Sequence, residues 1–299
     1  MMIKIANAPC SWGILEFDIK NNSNYKKVLD EIKECNYSGT ELGDYGFLPT
    51  NPKVLGKELE KRKLSLVGAF IPLALYKEEN HKKGIEKALL IADLMKKAGF
   101  DDSLIILSDD NCKVKERTCN TSRIKKSMNL SKKQRLIFAQ GANKIAEEVL
   151  SKSNLKTVFH HHCGGYIETP DEIDYFMNNT DKNLVGLCLD TGHLFLGGGN
   201  PVDIIKKYNK RISHVHFKDC NKKLKELGIK NNWDYFQFIE NGIFCELNKG
   251  NIDFEEVSNE LKKINYKGWI VVEQDIIHGM GDPKKYAIKN RKYLESINL

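Results

Sequence analysis

No run of consecutive apolar residues in this 299-residue sequence approaches the 18 or so that a membrane helix needs, and the start, MMIKIANAPCSWG, lacks the basic, apolar and cleavage regions of a secretory leader. A cytoplasmic protein without a membrane partner is expected. None of the eight cysteines stands in CxxC spacing, so neither a zinc knuckle nor a thioredoxin-type pair is readable and reduced thiols are expected. Proline is scarce, at seven residues. There is no Pro-rich or Gly/Ser-rich linker and no internal repeat, so no domain boundary is drawn. A glycine fingerprint after the first strand, which a dinucleotide-binding sheet would carry, is missing too: Ala8-Pro9-Cys10-Ser11-Trp12-Gly13 stands there instead.

What is present is alternation. Short apolar or β-branched runs at Ile3–Ala8, Gly39–Leu42, Leu64–Ile71, Ser103–Leu107, Leu155–His160, Leu184–Leu189, Ile212–Phe217 and Trp269–Glu273 read as strands, with segments of helical period between them. Asn51-Pro52, Thr169-Pro170, Asn200-Pro201 and Asp282-Pro283 each set a capping residue before a proline at a first helical turn. Eight strands alternating with eight helices predict an α/β fold of the (β/α)₈ TIM-barrel kind, one domain over residues 1–299 with loop insertions near 108–130 and 218–251. A short helix is expected around Trp233–Ile239 in the second insertion. The net charge of +7 hints at a polyanion, but lysine is spread over nearly every expected helix, as in Lys82-Lys83, Lys96-Lys97 and Lys284-Lys285. A solvated outer ring accounts for that better than a phosphate-binding stripe, and no nucleic acid is expected.

Histidine placement carries the most chemical information. Of eight histidines, six (His160, His161, His162, His193, His214, His216) cluster at the ends of three successive expected strands. In a barrel those ends converge on one mouth. Alternation puts His160 and His162 on one strand face with His161 turned away, and puts His214, His216 and Lys218 together. Asp190 and Glu273 end the sixth and eighth strands. Imidazole nitrogen mixed with carboxylate oxygen suits a divalent transition metal such as Mn²⁺, Co²⁺, Zn²⁺ or Fe²⁺ rather than Ca²⁺ or Mg²⁺, so a metal ring of His160, Asp190, His216 and Glu273 is expected. Taken one at a time, each of these histidines is as readily a packed core residue. His81, in a charged stretch expected to be a polar loop, and His278 are given no role.

The same residues carry a family resemblance. Asn7-Ala-Pro-Cys-Ser-Trp-Gly13 with Glu16, Gly39-Thr-Glu-Leu-Gly-Asp-Tyr-Gly46, the His160-x-His162 pair, Leu189-Asp-Thr-Gly-His193, Val215-His-Phe-Lys-Asp219, Phe244-Cys-Glu-Leu247 and Gly268-Trp-Ile-Val-Val-Glu-Gln-Asp275 together resemble the inosose dehydratases, from end to end of the chain. These belong to the xylose-isomerase-like superfamily. The resemblance implies a hydro-lyase of inositol catabolism that eliminates water from 2-keto-myo-inositol (scyllo-inosose), giving a trihydroxycyclohexane-1,2-dione. The superfamily's usual ring is Glu, Asp, His, Glu, and the first position here is His160, which leaves His160 and His162 both open as the strand-five ligand.

Removing a proton α to the ketone and protonating the departing hydroxyl require a base and an acid. The candidates are Glu41, His162 and His193, with Glu41 equally open as a structural carboxylate. Trp12, Lys218 and Glu246 are candidate contacts to the sugar-like ring, although an indole is more often core. A metal-dependent isomerase or epimerase of a ketose or keto-polyol is the alternative. An apurinic-site endonuclease would need many more ligands from the N-terminal half, and a noncatalytic sugar-binding barrel would show a degraded ring. A homo-oligomer is left open.

Overall fold

The computed structural model describes residues 3–15, 24–277 and 279–299. Eight parallel strands close into a barrel: β1 (Lys4–Asn7), β2 (Gly39–Glu41), β3 (Ser65–Pro72), β4 (Leu104–Ser108), β5 (Lys156–His160), β6 (Val185–Asp190), β7 (Ile212–Phe217) and β10 (Trp269–Val272). β10 pairs with both β7 and β1, which completes the closure. The expected fold is therefore found. The outer helices are α1 (Tyr25–Glu34), α2 (Pro52–Arg62), α3 (His81–Lys97), α5 (Lys132–Ser153), α6 (Pro170–Asn179), α8 (Pro201–Lys207), α11 (Phe254–Lys263) and α12 (Pro283–Ser296). Among the described residues no helix is long and apolar enough to cross a membrane.

All four Asx/Thr-Pro signals start helices, and in each the capping side chain accepts a first-turn backbone N–H, as Asn51 does from Lys53 at 3.0 Å. Such caps satisfy donors that the helix itself cannot, each contributing about 1 kcal/mol. Strand alternation then divides the chain into two cores. Outward residues such as Phe159 and Phe217 pack under the helices, and Phe138, Phe159 and Phe176 form one aromatic cluster with centroids 4.0–5.7 Å apart. Inward residues fill the barrel axis: Ala6, Val67 and Val271 in one layer, Ile106, Val158 and Cys188 in another. The floor beneath the mouth is thus solid, and any chemistry must lie above it.

Two connections are longer than the rest. Between β4 and α5 runs a segment holding the short α4 (Lys115–Cys119). Between β7 and α11 come β8 (Asp219–Cys220), α9 (Lys222–Lys230), α10 (Tyr235–Glu240) and β9 (Phe244–Cys245), with β8 and β9 paired antiparallel. The expected helix near Trp233–Ile239 is α10, begun by an Asp234–Gln237 capping box. The sequence reading did not anticipate α9, the hairpin, or α7 (Thr191–Leu196), which starts directly at the end of β6. His81 corrects a second expectation. Rather than lying in a polar loop it opens α3, buried, with Nε2 2.8 Å from the Leu75 carbonyl, and Gly141 of α5 leaves it room, since a Cβ there would lie 2.4 Å from Nε2.

Candidate active site

The carboxyl ends of β2, β3, β5, β7 and β10 and the residues just after β1 surround a cleft lined among others by Glu41, His160, His162, His216, Lys218 and Glu273. Alternation delivers these groups. In β7, Val215 and Phe217 point to the helices, so His214 and His216 point inward, and Lys218 continues the same face. In β10, Ile270 and Val272 are outward, which turns Glu273 in.

One nitrogen or oxygen from each of His160, Asp190, His216 and Glu273 falls within 4.8 Å of those of the others, with all four side chains buried. Asp190 has a double task. Its Oδ1 accepts the His193 backbone N–H at 2.8 Å and so caps α7, while Oδ2 faces His160 Nε2 at 3.4 Å and His216 Nδ1 at 3.7 Å. Glu41 accepts at one oxygen, Oε1, from His214 Nε2 at 2.7 Å and from His216 Nε2 at 2.8 Å. His216 therefore carries a proton on Nε2, whatever the state of Nδ1. Its Nδ1 makes no well-aligned hydrogen bond but lies 3.3 Å from Glu273 Oε2 and 3.7 Å from Asp190 Oδ2, and despite burial these carboxylates with Glu41 hold the imidazole well above its ordinary value. Two buried carboxylates converging on that nitrogen call for positive charge between them, which a proton on Nδ1 or a bound cation in its place would supply. With two imidazole nitrogens and two carboxylate oxygens as donors, the residues fit a divalent transition metal.

The electrostatics agree. Burial works to raise the Glu41 carboxyl, but His216 and His214 prevail and hold it at about 2. Burial likewise opposes ionisation of Asp190 and Glu273, yet Lys218 beside Asp190 and His216 beside Glu273 keep both well below the usual carboxylate range. Lys218 stays charged despite its burial because Nζ lies 3.0 Å from Asp275 and 3.1 Å from Glu273. A further potential donor set, Cys10, Glu273 and Asp275, is already neutralised by that ammonium. His162 is pushed well below its ordinary value, first by burial and then by His160 and Lys218.

Residues 29–297 match the family described as Xylose isomerase-like TIM barrel. An inosose dehydratase of Clostridium botulinum strain Alaska E43 is 30% identical over 294 residues, covering 98% of this chain and 96% of the relative. That of Bacillus licheniformis is 32% identical over 294 residues, covering 95% and 94%. The chain belongs to the xylose isomerase-like TIM barrel family. Within the family its relatives are dehydratases over nearly its full length, and it is an enzyme of the hydro-lyase class. Among solved structures, a D-allulose 3-epimerase from a Methylomonas species superposes with a TM-score of 0.72 at 14% identity, covering 99% of this chain and all of the other. A probable 3-DHS dehydratase from Bacillus anthracis gives 0.68 at 16% identity, covering 98% and 99%. These two show the shared barrel.

Against this family background, the candidate residues sort themselves by position. His160, Asp190, His216 and Glu273 meet; Glu41, His162 and Lys218 share their cleft. His193 is buried behind the wall, its ring 3.7 Å from that of His162 and its Nε2 3.1 Å from Lys218 Nζ. Trp12 is a correction. Its ring is buried and its indole N–H donates to Glu31 of α1 at 2.7 Å, so the strand-one connection reaches the cleft through Pro9, Cys10, Ile14 and Leu15 instead. Glu246 is another: it pairs with Lys289 of α12 at 2.9 Å, and the hairpin residue facing the site is Phe244, whose ring lies under Lys218 Nζ at 4.9 Å. Glu16 and His278 lie outside the described residues.

Sequence reasoning missed Asp275 and Tyr235. Asp275 stands two residues after Glu273, so alternation was a usable signal for it. Tyr235 sits in an insertion without periodicity and gave none. The N-terminal half offers only His81 as an imidazole, and it is tied to the Leu75 carbonyl, so a multi-metal endonuclease set has no source there among the described residues.

Proposed function

We propose that this enzyme eliminates water from 2-keto-myo-inositol as a cytoplasmic step of inositol catabolism, with a divalent cation held by His160, Asp190, His216 and Glu273. The observation that carries the reading is the convergence of His160, Asp190, His216 and Glu273 within 4.8 Å at the mouth of a chain whose relatives are inosose dehydratases. When bound, Mn²⁺ or Co²⁺ supplies Lewis acidity to the substrate ketone, worth several kcal/mol. Lys218 lines the same wall and provides a fixed positive charge for a ring oxygen.

The base is His162. Its Nδ1 lies 2.6 Å from the Cys163 carbonyl and must donate there, which leaves Nε2 as a lone pair on the cleft wall. A neutral imidazole in that tautomer accepts the proton α to the ketone. Glu41 is less suited because Oε1 already takes two imidazole N–H groups, and His193 stands behind the wall. Mass spectrometry of the products from purified enzyme and scyllo-inosose tests the reading: loss of one water is expected. A ketohexose interconverting with its epimer, without loss of mass, would favour the isomerase alternative.

Glu41 acquires a different role. By accepting Nε2–H it turns the Nδ1 of His216 toward the other three donors, as outer carboxylates do for metal-ligating histidines. Glu41→Gln is expected to weaken Mn²⁺ binding by about 10- to 100-fold in a calorimetric titration. Unchanged affinity would show that His216 is held in place by other contacts.

A further inference from the structure

We propose that Tyr235 is the acid that protonates the departing hydroxyl, a role that rests on the dehydratase reading and deepens it. Tyr235 is the first residue of α10, inside the insertion after β7, yet it lines the cleft formed by the strand ends. Its hydroxyl lies 3.3 Å from His162 Nε2. Because His162 Nδ1–H is committed to the Cys163 carbonyl, Nε2 is the acceptor and the phenol is the donor in that pair.

The tyrosine is held in place from three sides. The Asp234–Gln237 capping box fixes the start of α10. Gly164, at φ +79°, lets the chain after His162 pass beside the phenol ring, where a Cβ would lie 3.5 Å from Cγ. From the first insertion, Arg123 donates to the Trp233 carbonyl at 2.8 Å, two residues before Tyr235. The first insertion thus braces the segment of the second that carries Tyr235.

The proton balance closes without an external partner. With the phenol O–H turned from Nε2 to the departing hydroxyl, His162 Nε2 takes the α-proton, and the C–H pair passes into the enolate. As that enolate collapses to the new C=C bond, the β-C–O pair leaves with the oxygen. Tyr235 gives its proton to that oxygen, forming water, and recovers one from the adjacent His162 Nε2–H. Both side chains return to their starting forms, and one proton has moved from carbon to the leaving hydroxyl.

The test follows Tyr235→Phe in the metal-loaded enzyme with scyllo-inosose in D₂O, monitored by NMR. The expected result is a loss of about 10²- to 10⁴-fold in kcat with KM within a few-fold, while deuterium still enters the carbon α to the ketone, since His162 is intact. A kcat within threefold of wild type overturns the proposal. So does loss of exchange together with elimination in a variant that keeps its wild-type melting temperature, because Tyr235 would then only shape the site. Wild-type enzyme that neither eliminates nor exchanges overturns the substrate reading itself, and the relay with it. As a second measurement, 3-fluorotyrosine at position 235, a more acidic phenol of nearly unchanged shape, is expected to move the alkaline limb of kcat to lower pH; an unmoved profile counts against the relay.

Discussion

Asp190→Asn is expected to lower turnover by about 10³-fold or more and to strip bound Mn²⁺ or Co²⁺ from the purified enzyme, with the fold intact. The substitution is chosen because Asp190 does two jobs. An asparagine oxygen can still accept the His193 N–H and cap α7, since Asn and Asp are equivalent caps. What is lost is the negative charge at Oδ2, which faces His160, His216 and Lys218 at 3.4–3.7 Å. Removing a buried anion from between cationic and metal-binding partners forfeits several kcal/mol of Lewis-acid stabilisation, and each 1.4 kcal/mol or so is a tenfold change in rate. Metal content by elemental analysis and a thermal melt, read beside activity, check it. A variant that keeps full metal and turnover would remove Asp190 from the ring.

The second large effect concerns stability. Arg117, in the short helix of the first insertion, is fully buried and grips Glu172 of α6 with two parallel bonds of 2.8 Å, donating also to the Gly165 carbonyl at 2.7 Å. Glu172 in turn accepts the backbone N–H of Thr169 and of Glu168. Arg117→Met would leave that carboxylate buried without its cation, a cost of about 3–5 kcal/mol. The melting temperature is expected to fall by roughly 5–8 °C. In the double variant with Glu172→Met, part of the loss should return, because no uncompensated charge remains, although the carboxylate half of the α6 capping box is lost while Thr169 still caps the helix. A single variant that melts with wild type would mean that the insertion is not fastened to the barrel through this pair.

That fastening explains which parts of the molecule could be read from sequence. Barrel strands announce themselves through period-two burial, so His160, His216 and Glu273 could be placed at one mouth from alternation alone. Helix starts were legible because Asn51, Thr169, Asn200 and Asp282 act locally, on the N–H groups of their own first turns. The insertions obey neither rule. Their positions are fixed by long-range contacts, among them Arg117 to Glu172 and Arg123 to the Trp233 carbonyl, separated by 55 and 110 residues. Tyr235 was invisible for that reason. Trp12 and Glu246 were misjudged on the same ground, since each is claimed by a distant partner, Glu31 and Lys289, that no local pattern advertises. Glu41 was found, but its function as an orienting carboxylate depends on two histidines more than 170 residues away.

The central claim is a metal-dependent dehydration at the ring of His160, Asp190, His216 and Glu273. It is tested most directly by following the ultraviolet absorbance of the dione formed from scyllo-inosose through one cycle of chelation and metal return. The expected result is dione formation by the purified enzyme, its loss on chelation with metal-free protein confirmed by elemental analysis, and its recovery with Mn²⁺ or Co²⁺. Dione formation that continues at an undiminished rate in protein shown to be free of metal would contradict the account.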